Sequence, residues 1–257
     1  MRFASGMRHW QVALAALVLL PVAGAQTTLK LAAAADLEPV LPSILKQFET
    51  QTGIRVVGTY QASAMLTAQM MNGAPYDLFL AADMSFPMRV VKAGLADEPA
   101  PVPYANGTLV LWTRNDEHLP APSLALLRSP ELKRLAIANP DRAPYGRAAV
   151  ATLKSLKLYD ALKARIVQAE NIGQAAQFVE SGNAQAGLIA LTAALTPALA
   201  RTGSYYVIPH DLYPPIEQGA VVLRGSAHRT EAQQLLEFLL SAPVQAQLKA
   251  RGLTPVH

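Results

Sequence analysis

A chain of 257 residues with 51% apolar content has ample material for one large or two modest domains. Its 22 basic and 18 acidic residues nearly balance, and no Lys/Arg cluster interleaves with aromatics, which argues against nucleic acid as a partner. With no cysteine there is neither a disulfide framework nor a thiolate metal centre.

Residues 1–25 have the build of a secretory signal. Arg2 and Arg8 form a positive start, Val12 to Leu20 is an apolar run too short to span a bilayer, and Ala23-Gly24-Ala25 is a cleavage site. Gln26 is expected to begin the mature chain, in a bacterial periplasm; the rival reading is an uncleaved membrane anchor. Without those two arginines, 20 basic and 18 acidic residues remain, a balance of +2.

The first predicted strand runs through Leu29 to Ala35 and meets a helix at Asp36 and Leu37. Apolar residues at Val40, Leu41, Ile44, Leu45 and Phe48 predict a helix over 38–50, which Pro42 kinks or delays and Thr52-Gly53 ends. Ile54 to Val57 reads as a strand, giving a βαβ unit with a parallel sheet. Gln61-Ala62-Ser63 leads into a helix with Leu66, Met70 and Met71 inward, closed at Asn72-Gly73. Residues 74–82 form the third strand and Phe86 to Lys92 the next helix. After a Pro-rich passage the chain is expected to cross into a second lobe near Tyr104. That lobe holds strands at Thr108–Trp112, Leu135–Ala138, Ala186–Ala190 and Tyr205–Ile208, and helices opening at Ala143–Gly146 and Glu170–Gln174. Tyr213-Pro214-Pro215-Ile216 returns it to the first lobe for a strand at Gln218–Leu223, a helix at Glu231–Leu240 and a short helical tail. The expected division is therefore 26–104 with 213–257 as one lobe and 105–212 as the other.

In open α/β sheets a ligand lies beyond the carboxyl ends of the strands, which brings four loops to the cleft: 33–36, 61–64, 143–146 and 170–174. Each is a strand-to-helix junction, where free N–H groups and the helix dipole favour an anion. Ser63 can offer a hydroxyl and an amide, or merely cap its helix. Tyr145 can offer a phenol, and Asn171-Ile172-Gly173 opens a helix with free amides. Catalytic patterns are missing: the five histidines show no metal-ligand spacing, and neither G-x-S-x-G nor a phosphate-cradling glycine loop is present. Asp77 and Asp83 flank a strand and read as strand-end and helix-cap residues.

Several of these motifs, in this order, resemble the periplasmic molybdate-binding proteins (the ModA family) of ABC importers. They are Ala33 to Leu37, Asn72 to Asp83, Gly107 to Trp112, Ile137 to Pro140 with Ala143 to Gly146, and Asn171 to Gln174. The resemblance spans essentially the whole mature chain. It implies a two-lobed type II periplasmic binding protein fold, each lobe a mostly parallel sheet flanked by helices. It implies no enzymatic activity, no cofactor and no direct metal ligand. The implied ligand is molybdate, with tungstate; the partner is an inner-membrane ABC permease, and the protein is a monomer. Carried over by position, the oxyanion-binding residues are Ala35 and Asp36 through backbone amides, Ser63 through hydroxyl and amide, Tyr145 through its phenol, and Ile172 through its N–H. This chain departs from the family in having Ala62-Ser63 for a Ser-Ser pair, Tyr60-Gln61-Ala62 for a Gly-rich turn, and Ala190 where some members carry a tyrosine. The alternatives are a receptor for another tetrahedral oxyanion (sulfate, phosphate or arsenate) and, in a different class, a periplasmic hydrolase.

Asp36 is the difficulty. A carboxylate about 4 Å from a negative charge costs roughly 4 kcal/mol at an effective dielectric of about 20, and about double for a dianion. The expectation is that its carboxylate turns back to cap the N–H of Glu38, leaving only its backbone for the ligand. The rival is that the carboxylate accepts a proton from a protonated oxyanion such as hydrogen phosphate or arsenate.

Overall fold

The computed structural model describes residues 26–116 and 118–256, so the expected signal segment lies outside the described residues. In chain order the first elements are β1 (Thr28–Ala34), a 3-10 turn at Ala35–Leu37, α1 (Leu41–Thr52), β2 (Arg55–Gln61), α2 (Ser63–Met71), β3 (Leu78–Ala81), α3 (Ser85–Lys92) and β4 (Val102–Gly107). Next come β5 (Leu109–Arg114), β6 (Leu135–Ala138), α4 (Pro144–Ser155), α5 (Tyr159–Leu162), β7 (Ile166–Ala169), α6 (Ile172–Glu180), β8 (Ala186–Ala190), α7 (Leu191–Ala194), α8 (Pro197–Thr202) and β9 (Gly203–Val207). The chain closes with β10 (Ile216–Val222), α9 (Arg229–Leu240), α10 (Ala242–Ala250) and β11 (Leu253–Thr254).

These strands form two sheets, ordered β11-β4-β10-β3-β1-β2 and β7-β6-β8-β5-β9. The expected parallel βαβ pairing holds for β2-β1-β3 and for β7-β6-β8. The strands on either side of the sheet-to-sheet passages run antiparallel: β10 against β3 and β4, and β5 against β8 and β9. The passage expected near Tyr104 falls at Thr108, because Tyr104 lies inside β4 of the first sheet. The return lies between β9, which ends at Val207, and β10, which begins at Ile216.

Helix α1 starts three residues later than its apolar spacing predicts. Leu37 closes the separate 3-10 turn, and Pro42 falls in the first turn of α1, where a missing N–H costs nothing and no kink arises. Gly53 ends α1 in the left-handed region (φ 74°), donating to Glu49 O at 2.8 Å. The third strand is shorter than 74–82 because Asp77 turns inward, its Oδ2 accepting from Lys30 N at 2.6 Å and its Oδ1 from Ser226 Oγ at 2.6 Å. It is buried, not a solvated strand end.

The alternation of β1 divides the first core. Leu29, Leu31 and Ala33 face α1 and α9 with Ile44, Phe48 and Leu235, while Ala32 faces α2 and α3 with Leu66, Phe86 and Val90. The second sheet packs Trp112, Leu188 and Ile137 against Ala149, Leu153 and Val179 of α4 and α6. Such burial at about 25 cal/mol per Å² of apolar surface is enough to hold the fold without cross-links. The alanine run of β1 thus makes a thin wall at the sheet's carboxyl edge, where the backbone can be approached closely.

Candidate functional site

The carboxyl ends of β1, β2 and β3 deliver Ala35-Asp36, Ala62-Ser63 and Ala82 to one point. From the other lobe, the ends of β6 and β7 deliver Pro144-Tyr145 and Asn171-Ile172. All five residues expected to touch an anion line a single small cavity. The first N–H groups of α2, α4 and α6 have no partner within their own helices, and Ser63, Tyr145 and Ile172 sit in those first turns. The positive dipole ends therefore meet around the cavity.

Local sequence explains the placement. Gly146 lies so close to the end of β6 that an added Cβ would be 2.3 Å from Ala138 O, so α4 can begin hard against the strand only with glycine here. Asn171 caps α6, its Oδ1 accepting from Gln174 N at 2.9 Å, which fixes the loop that presents Ile172. Gly107 leaves room for a phenol: a Cβ there would be 2.2 Å from the Tyr145 hydroxyl.

Ser63 is not the helix cap. Ala62 occupies that position, and Ser63 Oγ accepts from Ala82 N at 3.1 Å. With the oxygen so engaged, the hydroxyl hydrogen is available to an acceptor in the cavity. Ser63 is 1% exposed.

Asp36 departs from expectation. Its carboxylate does not cap Glu38, whose N–H goes to Ala35 O at 3.3 Å. Instead Oδ2 accepts from the Tyr145 hydroxyl at 3.1 Å and from Gln218 Nε2 at 2.5 Å. The reason is geometric: the 3-10 turn directs the side chain toward β10 and α4, where two donors already stand. Thr192 Oγ1 donates to Asp36 O at 2.8 Å, holding the same residue from α7. Asp36 is 2% exposed, and Oδ1 and Gln218 Oε1 are buried without partners. Burial pushes the Asp36 pKa up to about 6 against the opposing hydrogen bonds from Gln218 and Tyr145. Burial, then the adjacent Asp36 charge, raises the Tyr145 and Tyr104 phenols well above their usual value, so both stay neutral donors. Tyr145 is thus shared between the cavity wall and Asp36.

Gln218 and Thr192, which bond Asp36, and Tyr104, whose hydroxyl donates to Ala81 O at 3.3 Å nearby, carry no local signal in the sequence, since they come from elements far along the chain. Ala190 lines an adjoining groove with Ala176, Ala193 and Leu199, which shares Ala35, Asp36 and Ile172 with the cavity. Among the described residues no group of three or more His, Asp or Glu could hold a metal ion.

The lobes meet across the cleft. Ala64 N donates to Arg142 O at 3.2 Å, and Arg147 pairs with Asp83 at 2.6 Å while its guanidinium lies 5.3 Å from the Phe86 ring centroid. Arg142 also pairs with Glu170 at the rim. This is a closed arrangement with Asp36 as the one ionisable carboxyl among the described residues lining the cavity and ion pairs at the rim.

The model of the bacterial extracellular solute-binding proteins matches residues 29–254. The chain belongs to that family. It is 37% identical over 234 residues to the molybdate-binding protein ModA of Azotobacter vinelandii, covering 91% of this chain and 92% of the relative. It is 33% identical to ModA of Rhodobacter capsulatus over 93% and 92% of the two chains. Among solved structures, the periplasmic molybdate-binding protein of Azotobacter vinelandii superposes with a TM-score of 0.84 at 34% identity, over 89% of this chain and all of that one. These relatives are binding proteins, and the family serves transport, not catalysis. The two-lobed α/β architecture is theirs as well.

Proposed function

We propose that this protein is the periplasmic receptor of an ABC importer that captures molybdate, and tungstate with it, for delivery to an inner-membrane permease. The observation that carries this reading is the small cavity at which Ser63, Tyr145 and Ile172 converge from both lobes, in a chain 37% identical to a molybdate-binding protein. Ala35 and Asp36 contribute backbone amides, Ser63 its hydroxyl and amide, Tyr145 its phenol, whose one hydrogen turns from Asp36 Oδ2 to the anion, and Ile172 its N–H. Because these donors are neutral and fixed, they select by size and geometry, which favours the larger tetrahedral oxyanions over sulfate. Molybdate and tungstate nearly match in size and charge, so one cavity serves both. A ligand touching both lobes stabilises the closed form, the form a permease can recognise. The receptor works as a monomer, exported by residues 1–25.

The unpartnered Asp36 Oδ1 favours a second reading, in which a protonated oxyanion such as hydrogen phosphate or arsenate donates to it. Calorimetric titration with molybdate, tungstate, sulfate and phosphate separates the two. Tight one-to-one binding of molybdate and tungstate supports the first; binding of phosphate or sulfate alone refutes it. A hydrolase would turn over a phosphate or sulfate ester in the same assay, and no turnover is expected.

A further inference from the structure

Asp36 is a carboxyl group in the wall of a cavity whose proposed ligand is a dianion. Its Oδ2 is occupied by two donors, while Oδ1 is buried and has no partner. A bare carboxylate so placed repels the anion, and a protonated one offers it an O–H. We propose that the anion binds together with one proton, which resides on Asp36 Oδ1 and makes this carboxyl a hydrogen-bond donor of the site. The inference rests on the oxyanion-binding reading above and names how that site accepts the charge.

The surroundings support it. Gln218 of β10, Tyr104 of β4, Tyr145 of α4 and Thr192 of α7 are the groups that face Asp36, and none carries a charge. Tyr213 lies beyond Tyr145, with His210 on its hydroxyl, and acts on Tyr145 instead of on Asp36. Glu38, next on the same segment, acts on Tyr60. With no cation against it, Asp36 can lower the cost of an approaching dianion only by taking a proton from solvent. Burial already holds its pKa at about 6, and a nearby dianion raises it further.

The sign follows. The bound state has the higher pKa, so binding takes up a proton between about 6 and that higher value, and Kd rises about tenfold per pH unit across the window. Below it, affinity is flat. Asparagine keeps the shape and supplies an N–H, so Asp36→Asn is expected to bind molybdate without this dependence and more tightly than the native protein at pH 8.

The test is calorimetry of the full mature protein with molybdate at pH 7.5, in buffers of different ionisation enthalpy. About one proton taken up per anion by the native protein, and none by Asp36→Asn, is the expected result. Tight molybdate binding with no proton uptake by the native protein overturns this inference and leaves the receptor reading standing. No molybdate binding anywhere from pH 5 to 8 overturns both. The native measurement decides the matter even if the variant does not fold.

Discussion

The Tyr145 hydroxyl, on the first turn of α4, donates to Asp36 Oδ2, at the end of β1, across 3.1 Å and across the cleft. One phenol therefore serves closure and the cavity wall together. Tyr145→Phe removes the phenol proposed to donate to the charged anion, an interaction worth about 1.5–3 kcal/mol. Molybdate binding is expected to weaken about 10- to 100-fold by calorimetry, with the far-UV circular dichroism unchanged. Unaltered affinity would remove Tyr145 from the site.

Gly107 tests the same phenol from behind. A Cβ at this position would fall 2.2 Å from the Tyr145 hydroxyl and 3.1 Å from Ile216. Gly107→Ala must displace the tyrosine, so it should lose molybdate affinity at least as severely as Tyr145→Phe. It should also lower the melting temperature, by overpacking of about 1–3 kcal/mol.

Ser63 holds Ala82 N at 3.1 Å as well as facing the cavity. Ser63→Ala leaves that buried N–H without an acceptor, at a cost of about 1–3 kcal/mol. Melting of the ligand-free protein should fall by several degrees, and calorimetry should show weaker binding, by about tenfold or more. Unchanged melting and unchanged binding together would contradict the assignment.

The first core and the four loops that meet at the cavity were legible in the sequence because they rest on local patterns. Apolar spacing marks α1, small residues mark the end of β1, and Asn139-Pro140 with Pro144-Tyr145-Gly146 marks the start of α4. The orientation of Asp36 was not legible. A capping rule places its carboxylate on Glu38, yet Gln218, 182 positions away, and Tyr145, 109 away, take it instead. Ser63 misleads in the opposite sense: a preferred capping residue next to a helix start turns to Ala82 because the parallel β1-β3 pairing brings that amide beside it. Long-range partners of this kind leave no trace in spacing. The start of α1 was misplaced for a local reason, since a 3-10 turn uses up Ala35 to Leu37 before Pro42 can open the helix.

The raised pKa of Asp36 makes a stability prediction for the ligand-free protein. Its folded value is about 6, above the ordinary 3.8, so the folded state binds the extra proton. The contribution is full below about pH 4 and is lost as pH rises through about 6, amounting to about 3 kcal/mol. Urea denaturation of the native protein and Asp36→Asn should show the variant's advantage growing by about that amount between pH 4 and pH 7. A gap independent of pH would contradict the buried, partly unpartnered carboxyl.

The Arg147–Asp83 pair bridges the lobes at 2.6 Å, with side chains 42% and 26% exposed. Such a pair contributes about 1 kcal/mol or less. Arg147→Gln should weaken molybdate binding by no more than about fivefold at low ionic strength, and the difference should vanish near 1 M salt. A larger, salt-independent loss would mean that Arg147 reaches the ligand.

The most direct test of the central claim is a crystal structure grown with molybdate, with anomalous data collected at the molybdenum edge. The predicted result is a single peak inside the cavity, with oxygens within hydrogen-bond distance of Ser63 Oγ, the Tyr145 hydroxyl and the Ile172 N–H. A peak elsewhere, or none in crystals of protein that binds molybdate in solution, would contradict the account.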